Sequence, residues 1–219
     1  MSVHIGHPDE VQALNGLLAG YAAGTLGAPL HALVSAHLVL KPDNRGFVRA
    51  LEALRAHEID MVAPVALRRR DEMLERIFSA TADAAMRRAP TADDVLPAPI
   101  SSLIGGDLAA VKWKTVLPGI RECRISNDQH GEASLLWIKP GKMMPSHTHD
   151  GSEVTLVLKG GFTDSTGHYR RGDIAIADSE VDHRPRADDD EDCICFAVSE
   201  APLRLTGPFV RFVRRVLGH

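Results

Sequence analysis

The sequence predicts an α+β chain of two domains, an N-terminal bundle of about four helices followed by an all-β barrel or sandwich. Three observations carry this. Apolar residues recur at three- and four-residue steps up to about residue 88, short β-forming runs replace them beyond about residue 105, and a stretch with prolines and no period lies between. A length of 219 residues also suits two domains of ordinary size.

The first helix starts at Pro8, whose missing N–H is harmless in a first turn, and Asp9 and Glu10 complement the positive end of the helix. Val11, Leu14, Leu17, Leu18 and Tyr21 form its apolar stripe, and Gly24 and Gly27 end it. A second helix over 29–40 carries Leu30, Leu33, Val34, His37 and Leu38 on one side and stops before Pro42. A third carries Phe47, Leu51 and Leu54. A fourth follows Pro64, with Leu67, Leu74, Ile77, Phe78 and Ala85. Helices this short are marginal alone, so they must pack on one another or on a partner. A small bundle that also offers apolar faces to another protein meets both needs. The expected boundaries are 1–88 for the helical domain, 89–104 for a linker, 105–206 for the β domain and 207–219 for a tail or short helix.

In the β half, runs at 111–116, 120–125, 133–138, 154–158, 174–177 and 193–198 are separated by turn signals such as Asn127-Asp128, Lys139-Pro140-Gly141 and Gly160-Gly161. Many short strands at close spacing predict an antiparallel sandwich or barrel. The acidic run 188–192 reads as a solvated loop.

Composition excludes several classes. Net charge is −4 and the longest basic block is Arg68-Arg69-Arg70, which argues against direct nucleic-acid binding. Apolar runs fall short of the roughly 18 residues that span a bilayer, so no membrane partner is expected. The start, "MSVHIGHPDEVQ", lacks the basic and apolar regions of a secretory signal, and a cytoplasmic location is expected. Three cysteines make no disulfide framework; Cys193 and Cys195 share a strand face and read as packed thiols.

The chemistry concentrates in residues 141–160, "GKMMPSHTHDGSEVTLVLKG". His147 and His149 project from one strand face, a turn at Asp150-Gly151 returns Glu153 beside them, and His183 adds a further imidazole. Imidazoles with one carboxylate suit a divalent ion such as zinc, iron, manganese or nickel. The spacing resembles the first cupin motif, G-x5-H-x-H-x3-E-x6-G, as Gly141, His147, His149, Glu153 and Gly160. Gly172 and His183 match the second motif, where Asp178 and Glu180 replace a proline and a glycine. The resemblance implies a double-stranded β-helix barrel over about residues 105–205, with one divalent metal, zinc first among the candidates, on those four side chains.

"LLAGYAAGTL" at 17–26 and "AHLVL" at 36–40, ahead of a cupin, resemble the ChrR family of anti-sigma factors. That resemblance implies a transcriptional regulator whose helical domain sequesters an extracytoplasmic-function sigma factor. Its metal-binding cupin would serve as the sensing domain in a stress response. The family's helical domain holds zinc through a H-x3-C-x2-C setting and an upstream histidine. Here those positions carry His37, Lys41, Asn44 and Gln12. An ammonium cannot ligate, so zinc is expected to be absent from this degenerate site, with a hydrogen-bonded latch of the four side chains in its place. The alternative from another class is a small metal-dependent cupin enzyme (oxygenase, isomerase or lyase) with a vestigial helical domain; of the two, the non-enzymatic reading is preferred. Glu122, Arg124, Tyr169 and the Cys193/Cys195 pair are candidate neighbours of the metal.

Overall fold

The computed structural model describes residues 8–79, 95–128, 131–179, 181–201 and 203–206. Ala85, His130, the first part of the expected linker and the tail from 207 lie outside the described residues.

The chain runs through α1 (Pro8–Ala23), α2 (Ala28–Leu40), a 3-10 turn (Pro42–Asn44), α3 (Arg45–Asp60), α4 (Arg70–Ser79) and α5 (Ala98–Ile104). The strands follow as β1 (Lys114–Leu117), β2 (Ile120–Asp128), β3 (Gly131–Ile138), β4 (His147–His149), β5 (Glu153–Lys159), β6 (Gly161–Thr163), β7 (His168–Arg170), β8 (Ile174–Ala177), β9 (Arg186–Ala187), β10 (Cys193–Ser199) and β11 (Leu203–Leu205). The architecture is the expected α+β one, with a fifth helix added. α5 falls where an unstructured linker is expected. Pro97 and Pro99 bracket its start, where proline is tolerated, Gly105 ends it at φ 72°, and Ile100 is fully buried. Seven residues are too few to show a period.

The β half folds into a six-stranded antiparallel sheet, ordered β1-β2-β3-β10-β5-β8, with a three-stranded sheet, β7-β6-β9, and the pair β11-β4. β1 starts at Lys114 rather than at 111, because the Asp107 carboxylate accepts from Ala110 N and winds 108–110 into a 3-10 turn.

The central strands are buried on both faces. In β10, Cys193 and Cys195 point into the barrel beside Val157 and Phe162, while Ile194, Phe196 and Val198 point out to the helices. β5 divides likewise: Val154, Leu156 and Leu158 face the helices, and Val157 faces inward. "CICFAV" is therefore apolar throughout instead of alternating. One apolar cluster joins Leu18, Leu33, Val34 and Ile100 of the helices to Leu135, Leu156 and Phe196 of the sheet. α2 lies between α1, α5 and the sheet, which is why its apolar residues cover more than one side. α4 buries none of its residues.

Candidate metal centre

Four metal-capable side chains meet inside the barrel. β4 turns His147 and His149 to one side, and both are buried. β4 is held on one edge by β11 and on the other by His183, through reciprocal backbone bonds between residues 147 and 183, each 3.1 Å. Glu153 opens β5, opposite Ser199 of β10 and Ala177 of β8. The donor atoms of His147, His149, Glu153 and His183 all lie within 4.8 Å of one another. The structure thus brings together the residues that the spacing singled out.

Hydrogen bonds prepare these rings for ligation. His147 donates Nδ1–H to the Pro145 carbonyl at 2.8 Å, and His183 donates Nδ1–H to Asp164 Oδ2 at 3.1 Å. Each bond assigns the tautomer that leaves Nε2 unprotonated. His183 Nε2 and both ring nitrogens of His149 are buried without a hydrogen-bond partner. An orphaned buried polar atom costs about 1–3 kcal/mol. Bare ring nitrogens converging with a carboxylate are the donor set that a divalent metal satisfies, so the residues present fit one. Burial, with smaller contributions from the neighbouring His183 and His149, lowers the His147 pKa against the Pro145 bond and keeps the ring neutral, the form that ligates.

Asp164 lies behind His183 and escapes a reading by spacing. Its Oδ1 accepts from Thr166 Oγ1 at 2.6 Å, Thr166 N at 2.9 Å and Gly167 N at 3.2 Å, which keeps Oδ2 for His183. Burial favours its neutral form, but the His183 contact and these donors outweigh it and hold the carboxyl below its ordinary value. The signal in the sequence is "DSTG", an Asx-type turn that reads only as a turn. Ser199, also unforeseen, donates to Glu153 Oε2 at 3.0 Å.

A cavity of about 250 Å³ adjoins the cluster, and Glu122, Arg124, Met144, Phe162 and Cys195 line it. Glu122 accepts from Ser134, and Arg124 is paired with Glu132. The Tyr169 phenol oxygen lies 2.8 Å from the Thr166 hydroxyl. Cys193 and Cys195 are buried free thiols with Sγ atoms 3.6 Å apart. The Cys193 hydrogen bond and then burial raise the Cys195 pKa, leaving it an unreactive thiol. His168 of β7 pairs with Asp188 at 2.8 Å and is not part of the cluster.

The N-terminal quartet does not assemble as a metal site. Both nitrogens of His37 are engaged, Nδ1 with the Gly172 carbonyl at 2.7 Å and Nε2 with Asn44 Nδ2 at 2.8 Å. Lys41 pairs with Asp173 at 3.0 Å. Gln12 stands apart on an exposed position of α1, and no hydrogen bond joins it to the others among the described residues. This donor set does not fit zinc.

A helical domain packed on a barrel with a three-histidine, one-glutamate cluster defines a metal-type cupin carried by a helical partner domain. The family described as the ChrR cupin-like domain matches residues 102–202. The anti-sigma-E factor ChrR of Cereibacter sphaeroides is 38% identical over 200 residues, which cover 90% of this chain and 93% of that protein. The crystal structure of Rhodobacter sphaeroides SigE in complex with the anti-sigma ChrR is similar at a TM-score of 0.70 and 36% identity, over 84% of this chain and 96% of that one. The chain belongs to the ChrR family of anti-sigma factors.

Proposed function

We propose that this protein is an anti-sigma factor that sequesters an extracytoplasmic-function sigma factor through α3, α4 and the segment between them. The observation that carries the reading is the apolar surface there. Leu54, Ile59, Val65, Leu67, Ile77 and Phe78 are each between 64% and 87% exposed. Large apolar side chains in such a run mark an interaction surface. The solved relative is a complex of a sigma factor with its anti-sigma.

His147, His149, Glu153 and His183 hold one divalent ion in this reading, with zinc first and iron, manganese or nickel as the other candidates. The bound ion supplies a Lewis-acid centre beside the cavity. The chain's own groups orient its ligands, through Asp164 and Pro145, and shield them from water. The cavity gives a small signal molecule a route to the cluster, and the cupin serves as the sensing domain of a stress-responsive, cytoplasmic regulator. The same cavity is what favours the enzymatic alternative. No single helix among the described residues is long and apolar enough to cross a membrane.

The test is retention of a purified sigma factor from the same host on the full chain. Leu54→Asp combined with Phe78→Asp is expected to weaken retention about tenfold or more. Circular dichroism should remain unchanged, because both side chains are exposed. Equal retention by wild type and variant overturns the proposed surface.

A further inference from the structure

The contacts of His37 and Lys41 cross between the two domains, and Asn44 holds His37 from within the helical one. α2 ends at Leu40, the 3-10 turn follows, and α3 begins after Asn44. The partner of this junction is the turn before β8, where Gly172 and Asp173 meet it. The acceptor Gly172 O and the donor Asn44 Nδ2 together require a neutral imidazole with its proton on Nδ1. Burial lowers the His37 pKa and supports that state.

Other features show that the fit is specific. Asn44 is the N-cap residue of α3, yet its side chain makes no capping bond. An asparagine at this position ordinarily caps the helix, and here its amide bonds His37 instead. Gly172 adopts φ 90°, and a Cβ there would stand 2.9 Å from Lys41 Cγ and 3.0 Å from Leu40 Cβ. Asp173 divides its carboxylate, Oδ2 accepting from Arg170 N at 2.8 Å and Oδ1 taking Lys41. The turn and the helix junction are therefore shaped to each other.

The turn leads into β8, which pairs with β5 from Leu156↔Ile174 to Glu153↔Ala177. One strand pair thus runs from the latch to the candidate ligand Glu153. We infer that the side chains at 37, 41 and 44 act as an interdomain latch that fastens the α2–α3 junction to the Gly172–Asp173 turn, so that the cupin sets the position of α3. The latch stands on its own contacts; its regulatory meaning, that cupin changes reach the sigma-binding helices through it, rests on the anti-sigma reading.

The experiment is hydrogen exchange of the full chain at saturating zinc, with sigma retention and zinc content measured on the same samples. Asn44→Ser keeps a good capping residue and removes the long amide donor. It is expected to speed exchange in the turn 170–174, in the other domain, by about five- to tenfold. Lys41→Met, which keeps most of the aliphatic stem and removes the ammonium, is expected to loosen the same turn by about two- to fivefold. Zinc bound per chain should equal wild type in both, and should vanish when His147→Ala and His183→Ala are combined. Exchange changes confined to α3, or about one zinc retained in the double-alanine variant, overturn the latch. Failure of the wild type to retain any sigma factor contradicts the anti-sigma reading and leaves the latch standing.

Discussion

Asp164 sets the tautomer and orientation of His183, a candidate metal ligand. Its buried carboxylate fixes the ring through Nδ1, and Thr166 and Gly167 fix the carboxylate. Asp164→Asn should lower zinc affinity about 10- to 100-fold in chelator competition, with the fold retained. His37 gives a prediction in pH. Its folded-state pKa lies below the ordinary 6.5, chiefly through burial. The unfolded chain therefore takes up the proton first as pH falls, so the stability His37 contributes is present above about 6.5 and is lost as pH drops from there. Metal-free wild type should lose more stability between pH 7.5 and 5.5 in urea melts than His37→Gln, which keeps both bonding roles but does not titrate. The candidate ligands were legible because two histidines at i and i+2 must share a strand face. Asp164 was not: its tie to His183 spans 19 residues and depends on where β6 places the turn.

Among the elements, the turn at Gly172 is the most constrained, by its own backbone and by α2. Gly172→Ala combines a positive φ with contact below 3.0 Å to Lys41, and should cost about 1–3 kcal/mol by equilibrium unfolding. The long helices and the longer strands showed in the sequence through their periods. β6, β7 and β11 have three residues each and β9 has two, too few for any alternation to appear. α4 illustrates the reverse case. Its apolar period reads as a packed helix, but its apolar side chains face solvent in the isolated chain, because periodicity reports an apolar face and not what covers it.

At the scale of the molecule, the helices and the barrel share one core. Phe196 is fully buried on the sheet face that meets them. Phe196→Ala should cost about 3–5 kcal/mol, and calorimetry should show α1, α2 and the barrel melting in one transition. Two domains were readable from the change of period; their common core was not, since it depends on which face of β5 and β10 the helices cover. This packing supports the helical domain through an apolar core shared with the barrel, and it leaves apolar side chains of α3 and α4 exposed. The most direct test is to isolate the intact chain from its own host and measure the mass and metal content of what emerges. The account predicts a complex with one extracytoplasmic-function sigma factor and about one zinc per chain, held at the single cluster of His147, His149, Glu153 and His183 in the cupin. A chain recovered without a sigma factor, or with zinc that survives loss of His147 and His183, contradicts it.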